Sequence, residues 1–308
     1  MNHCACSSAT LRGFLKLSRS SPIPALFFLT GELPVEGQLH RDVLSLFWSV
    51  WTNPQTTANK IMKHVLSVAS DKSLTWSVHV RLLCRQYNLP DPLDLLLTPP
   101  WPKQRWKELV TTRVVSYHEK KLRENARSNS KMKYLNVDLK SLSGQPHPLI
   151  LSPQTSRDIE KMRPMVKMIA GDYLTFDRQA RDSNGRISPH CRLCSSPSPD
   201  LSPLSPSQPR DSLQHILTEC KTTATVRQRI ISEMQDIVLH LYPHNTIFRP
   251  DTDKNTLTQF ILDATSMNLP NSCRLNINDP HIYHVIRTSR DLCYALHADR
   301  VRKLKQSA

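Results

Sequence analysis

Glycine is scarce in this sequence: 6 of the 308 residues are glycine, against 23 prolines. Phosphate-binding loops need several closely spaced glycines, and neither GxxxxGK[ST] nor GxGxxG occurs. Acidic residues are also few, with 26 Asp and Glu against 41 Lys and Arg. Nucleotide-binding folds built on such loops are therefore excluded, and the chain is left with a large excess of positive charge.

The sequence also lacks long apolar segments and a dense set of cysteines. No segment approaches the ~20 apolar residues that cross a membrane. The apolar run at residues 25–29 is too short for a secretory signal and is preceded closely by Pro22 and Pro24. Eight cysteines are too few for a disulfide framework in a chain of this length. We therefore expect an intracellular protein, in the nucleus or cytoplasm, with reduced thiols and no membrane association.

The net charge of +15 indicates a polyanionic partner. A surplus of this size raises the local concentration of polyanions and speeds their encounter with the protein. RNA or DNA is the partner that we expect, ahead of an anionic membrane surface. A charge that merely keeps the chain soluble is the remaining interpretation.

Hydrophobic periodicity predicts a mainly α-helical fold with a bundle-like body and little sheet. Three helices are expected between Glu36 and Asn88, the third of them capped by Ser70-Asp71. Residues 135–153 are expected to form a loop or short strands. Pro164 should interrupt or kink the helix over 158–170. Further helices are predicted over residues 103–128, after Cys220, over 255–267, and from about 280 to the C-terminus.

The expected organisation is a series of five consecutive segments. The segments are 1–32, poorly ordered; 33–134, a helical region with a basic helix; 135–185, a connecting region; 186–245, a CCHC zinc-binding region; and 246–308, a C-terminal helical region.

The predicted helix over residues 103–128 has an apolar side and a mostly cationic side. Its acids are Glu108, Glu119 and Glu124, so few ion pairs can neutralise the cations. Such a helix can be anchored to a core while it faces phosphates, although an ordinary solvated face is the alternative. The candidate nucleic-acid-binding residues are Lys103, Arg105, Lys107, Arg113, Lys120, Lys121, Arg123 and Arg127.

The five tryptophans could in principle stack on nucleic-acid bases. Trp48, Trp76 and Trp106 lie at helical spacing among aliphatic residues. We therefore expect these three side chains in the core.

One pattern in the sequence carries a specific chemistry. Cys191 and Cys194 are followed after twenty residues by His215 and Cys220, which gives C-x2-C-x20-H-x4-C. Zinc prefers four tetrahedral ligands drawn from thiolate and imidazole. Four protein ligands leave no coordination position for a water, so we predict a structural Zn²⁺ and not a catalytic one.

The spacer between the two pairs is longer than in compact zinc knuckles. Most of it is SSPSPDLSPLSPSQPR (195–210), whose prolines and serines predict an extended, disordered loop. Lengthening a flexible loop costs only roughly 0.6 kcal/mol per doubling, so the insertion is compatible with the site. His190 is an alternative ligand. The Ser-Pro dipeptides make the loop a candidate docking segment for protein partners.

Five further segments are informative when taken together and in order. They are LPVEGQLHRDVLSLFWSVWTNP (33–54), LTWSVHVRLLCRQYNLPDPLDLL (74–96), WPKQRWKELV (101–110), MIAGDYL (168–174) and HCRLC…DSLQHILTEC (190–220). These segments resemble the C-terminal region, downstream of the polymerase, of non-LTR (LINE-type) retrotransposon reverse transcriptases, and the C-x2-C…H-x4-C pattern is similar to the zinc-binding region of such proteins. The resemblance implies that Cys191, Cys194, His215 and Cys220 bind zinc, and that the chain binds the element's RNA or its target DNA.

The sequence departs from that family where catalysis is concerned. The polymerase aspartates lie in a [YF]xDD motif, which is absent here, and no apurinic-type endonuclease core is recognisable. We therefore expect a zinc-stabilised nucleic-acid-binding accessory module that is not an enzyme. Two alternatives stay open: a protein-interaction scaffold with a regulated Ser/Pro-rich docking loop, and a non-functional retrotransposon remnant.

Overall fold

The computed structural model describes residues 3–194, 208–265 and 281–306, and regular structure in these ranges is helical. The same ranges hold no β-strand, only an isolated antiparallel bridge between His190 and Arg210. The predicted mainly α fold class is confirmed. The α-helices are α1 (His3–Leu15), α2 (Ile23–Thr30), α3 (Val35–Trp51), α4 (Thr57–Val68), α5 (Trp76–Gln86), α6 (Pro92–Leu97), α7 (Lys103–Arg127), α8 (Pro148–Leu151), α9 (Ser156–Ile169), α10 (Phe176–Asp182), α11 (Ala224–Leu241), α12 (Lys254–Leu262) and α13 (Ile282–Gln306).

The chain forms two compact units. Unit 1 comprises Met1–Thr10, Gly31–Asn125 and Ser141–Gln145, and unit 2 comprises Leu11–Thr30, Ala126–Lys140 and Pro146–Ala308. Most of the expected segments 135–185, 186–245 and 246–308 therefore belongs to unit 2.

No helix in the described ranges is both long enough and apolar enough to cross a lipid bilayer.

The N-terminal segment 1–32, predicted to be poorly ordered, instead contains α1 and α2. Every side chain from Ala25 to Leu29 in α2 is at most 1% exposed. A helix that is apolar on all sides has no amphipathic period, so the periodicity that indicates other helices does not indicate this one.

Unit 1 has a core built from α3 to α7. The three helices predicted between Glu36 and Asn88 are α3, α4 and α5, which pack against one another and against α6. Thr75, not Ser70-Asp71, caps α5, because its hydroxyl accepts a hydrogen bond from the Val78 amide at 3.4 Å. The largest buried side chains of these helices are Leu44, Phe47, Trp51, Met62 and Trp106.

Trp106 lies in the core as expected and donates its indole N–H to the Leu44 carbonyl at 3.0 Å. Trp48 is half-buried. The expectation is wrong for Trp76, which is 36% exposed. Trp76 is the first residue of α5, and the buried face of that helix begins one residue later.

In unit 2, α9 continues through Pro164, so of the two predicted effects of this proline the interruption does not occur. A capping box of Thr155 and Asp158 starts the helix. Gly171 follows its end with φ of +66°, a conformation that glycine adopts readily. A Cβ at Gly171 would lie 1.9 Å from the Lys131 carbonyl oxygen, so glycine also permits this close backbone approach.

The rest of unit 2 packs around α13, which contacts α9 and α11. α12 ends at Leu262, before the predicted limit of 267. Residues 135–153 hold a 3₁₀ turn (Val137–Leu139) and α8, and the short strands considered for this region are not formed.

A buried ion pair ties α13 to the segment that precedes His215. Two nitrogens of Arg300 donate to the two carboxylate oxygens of Asp211 at 2.8 and 2.6 Å. The two residues are 5% and 0% exposed.

Candidate metal centre

Cys191 and Cys194 lie on a tight turn in unit 2. The Cys194 amide donates to the Cys191 carbonyl at 3.2 Å. The Cys191 amide donates to the Pro209 carbonyl at 3.0 Å, and the Asp211 amide donates to Pro189 at 2.9 Å. These bonds form the bridge between His190 and Arg210, so the chain returns beside the first ligand pair immediately before it supplies the second.

His215 and Cys220 lie at the two ends of a π-helical turn, His215–Glu219. The Cys220 amide donates to the His215 carbonyl at 2.7 Å, across five residues. Single π-turns are uncommon and frequently occur at functional sites. The wider turn brings two residues at H-x4-C spacing to the same side of the backbone. The Ser212 hydroxyl accepts a hydrogen bond from the His215 amide at 3.1 Å, which stabilises the start of the π-helical turn.

The four predicted ligands come together in space, with one ligand atom from each lying within 4.8 Å of the others. The Cys194 sulfur lies 3.5 Å from both His215 Nε2 and the Cys220 sulfur. A disulfide needs a separation of about 2.05 Å, so no disulfide joins these cysteines. Cys191, His215 and Cys220 are buried and Cys194 is half-buried. This cluster can hold a metal ion.

The imidazole of His215 is oriented for coordination through Nε2. Its Nδ1 atom is buried and has no hydrogen-bond partner among the described residues. It faces Glu219 Oε2 at 3.6 Å, slightly beyond hydrogen-bonding distance. Burial raises the pKa of Glu219, but hydrogen bonds from Lys254 and Gln214 outweigh it and hold the pKa below its ordinary value. Glu219 is therefore an anionic acceptor for an Nδ1 proton, the usual outer partner of a metal-bound histidine.

The thiols of Cys191 and Cys220 have opposite pKa shifts. The hydrogen bond between them, together with burial, raises the pKa of Cys191. The same hydrogen bond lowers the pKa of Cys220, helped by hydrogen bonds from His215, Cys194 and Thr223. Two thiols that share a proton behave in this way, and a bound cation would displace such protons.

No family model, curated protein or solved structure matches this chain. The likeness to retrotransposon reverse transcriptases therefore stays a prediction.

His190, the alternative ligand, is not part of the cluster. Its Nδ1 atom forms a hydrogen bond with the Gln208 carbonyl at 3.0 Å. Residues 195–207 of the predicted disordered loop lie outside the described residues. Its last three residues, 208–210, are described and adjoin Pro189 to Cys191 through the backbone bonds given above.

The basic helix predicted over 103–128 is α7, and its candidate residues are exposed apart from the half-buried Arg123. They do not share one face. Lys103 and Lys121 are 18 residues apart, about five turns, so they point the same way. Arg105 and Arg123 form a second such pair, directed about 200° from the first. Arg123 is also paired with Glu119 at 3.0 Å.

Sequence reasoning missed the residues that support the cluster. Glu219 lies between two ligands in the sequence, which is the one signal that could have indicated it. Arg227, in the first turn of α11, donates a hydrogen bond to the Cys220 carbonyl at 2.7 Å. Its position in the sequence indicates only a cation on a helix, so no signal pointed to this contact.

Proposed function

We propose that the cluster binds one structural Zn²⁺ and that this ion holds unit 2 in its folded form. Zn–S bonds of about 2.3 Å at tetrahedral angles place sulfurs about 3.8 Å apart. The 3.5 Å separations at Cys194 and the 4.8 Å limit for the whole set are close to this requirement. Three thiolates and an imidazole favour Zn²⁺ over the hard cations Mg²⁺ and Ca²⁺.

The surroundings also suit this ion. Zn²⁺ with three thiolates and a neutral histidine carries a net charge of −1. Arg227, which is 9% exposed, brings a positive charge to the Cys220 end of the site. With four protein ligands there is no coordination position for a reactive water, so the ion would stabilise the fold without taking part in catalysis.

The proposed role of the chain is a zinc-stabilised, nucleic-acid-binding accessory module that lacks enzymatic activity. The four-ligand cluster carries this proposal, and the net charge of +15 and the exposed cations of α7 support a polyanionic partner. The role agrees with the resemblance to the post-polymerase region of LINE-type proteins. It requires neither a polymerase nor an endonuclease centre.

The test is zinc quantification and nucleic-acid titration on the same purified samples. Wild type should carry one zinc per chain, and Cys191→Ser and His215→Ala should carry much less. Binding of wild type to a single-stranded oligonucleotide should weaken steeply as salt rises, because cation–phosphate contacts release counterions.

Cys293→Ser is the matched control, because Cys293 is another fully buried free cysteine of unit 2 outside the cluster. It should retain zinc. Equal zinc loss in Cys293→Ser and Cys191→Ser would contradict the metal assignment. Absent or salt-independent binding by zinc-loaded wild type would contradict the nucleic-acid role.

A further inference from the structure

Two adjoining clefts in unit 2 form a groove along residues 126–138. The first has a volume of about 270 Å³ and the second about 390 Å³. Both are lined by Ser130 and Lys133, so the two clefts adjoin at these residues. We call the combined depression the 126–138 groove.

Cations outnumber carboxylates among the side chains that line the 126–138 groove. The carboxylates are Asp138 and Asp177, which pair with Arg127 at 2.8 Å and Arg181 at 3.3 Å. Arg178 pairs with acids outside the lining. Neither Lys131 nor Lys133 has a salt bridge within 4.0 Å to any described residue. The lining cations are Arg127, Lys131, Lys133, Arg178 and Arg181.

Close contacts fix part of the lining of the 126–138 groove. Gly171 lets the Lys131 carbonyl approach the end of α9, as described above. Arg178 is 9% exposed and donates to the Gly171 carbonyl at 2.6 Å, so its side chain is held in place. Cationic side chains on such rigid walls lose less conformational freedom on binding a ligand than those of a mobile loop.

One wall of the groove continues directly into the metal centre. Ser212, Leu213 and Gln214 line the first cleft, and His215 follows them in the chain. The Ser212 hydroxyl accepts from the His215 amide, and its O–H remains able to donate to a ligand. An ion on His215 would therefore fix this wall as well.

We propose that the 126–138 groove binds the phosphodiester backbone of single-stranded RNA or DNA. This inference rests on the proposed function and identifies where unit 2 makes its contacts. Four cations and the hydroxyls of Ser130 and Ser212 are placed to contact phosphate oxygens without reading bases. The groove uses Arg127 from the candidates on α7 and adds Lys131, Lys133 and Arg181, which lie outside that helix.

The experiment compares Lys131→Gln/Lys133→Gln/Arg181→Gln with Arg157→Gln/Arg249→Gln/Lys305→Gln in the full zinc-loaded chain. The control residues are exposed cations of unit 2 outside the groove, so both variants lose three positive charges. Affinity for a fluorescent oligo-dT and an oligo-U is measured between 50 and 200 mM salt, values within the range where phosphate contacts dominate.

The groove variant should bind about tenfold or more weakly, and its slope of log affinity against log salt should fall by about 2, at about 0.7 per lost phosphate contact. The control should keep the wild-type slope. Zinc content and helicity, measured on each variant, report folding, and Lys133→Gln alone gives a smaller change in the same direction.

Each other outcome overturns a different claim. Wild-type affinity and slope in the groove variant would overturn the groove while leaving the proposed function in place. Absence of binding by wild type would overturn both. A nucleoside monophosphate is the second probe: if it binds as tightly as the oligonucleotides, the groove is a simple anion site, and the assignment to a nucleic-acid strand is overturned.

Discussion

At the scale of single residues, Glu219 lies beside His215 Nδ1, while His215 Nε2 lies beside the Cys194 sulfur. The carboxylate is held by Lys254 at 3.1 Å and by Gln214 at 3.3 Å. A proton on Nδ1 leaves Nε2 unprotonated and able to coordinate a cation. Glu219, which is itself outside the cluster, is thus placed to favour coordination through Nε2.

Glu219→Gln should lower zinc affinity about 10- to 100-fold, the usual effect of removing an outer partner of a metal-bound histidine. Competition with a chromogenic zinc chelator measures this change. Glu233→Gln is the control, since Glu233 is an exposed acid of the same unit on α11. The role assigned to Glu219 fails if the two variants bind zinc equally well.

The spacing of Cys191, Cys194, His215 and Cys220 was sufficient to predict that they would cluster, because C-x2-C and H-x4-C each place two donors on one turn. The same sequence could not show that His190 is directed away from them. That outcome depends on a backbone bridge to Arg210, across a spacer that has no local pattern of strand pairing.

At the scale of elements, α13 supports the metal centre through the ion pair of Arg300 and Asp211. Asp211 also accepts the Phe176 amide at 2.6 Å, at the start of α10. The guanidinium groups of Arg192 and Arg300 both lie over the Phe176 ring, at 4.6 and 5.3 Å from its centre. The C-terminal helix is thereby connected to the turn that carries Cys191 and Cys194.

Arg300→Met should lower the free energy of unfolding by about 3–5 kcal/mol, because it leaves the buried carboxylate of Asp211 without its charge partner. Urea unfolding followed by circular dichroism measures the loss. Arg302→Met on the same helix removes an exposed cation paired with Asp299 and should cost about 0–1 kcal/mol. Similar losses in the two variants would remove the special role of Arg300.

Amphipathic helices such as α7 and α13 were predictable in position, but the side chains that they bury were harder to predict. In α7 the buried positions recur every fourth residue, at Trp106, Val110, Val114, His118 and Leu122. Since four residues turn the helix by about 400°, this stripe winds around α7 instead of following one face. The winding stripe is the physical reason why the cations of α7 do not form the single face that was expected.

At the scale of the whole molecule, the chain folds into two units whose segments alternate along the sequence. Local composition cannot predict this arrangement, because membership of a unit depends on contacts between distant segments. Leu11–Thr30 illustrates the point: it precedes all the main helices of unit 1 and yet belongs to unit 2.

Removal of the metal should act on unit 2 and spare unit 1, since all four ligands belong to unit 2. Hydrogen exchange with and without a zinc chelator tests this. Amides of residues 189–194 and 211–223 should exchange faster after chelation, while those of α3 and α5 keep their protection. Equal effects in both units, or no effect in unit 2, would disagree with this assignment.

We propose that four protein side chains enclose one zinc ion. X-ray absorption at the zinc edge, on wild-type protein loaded with one equivalent, identifies the atoms bound to it. We expect a first shell of three sulfurs at about 2.3 Å and one nitrogen at about 2.0–2.1 Å, with no water. A shell dominated by oxygen, or one with fewer than three sulfurs, would contradict it.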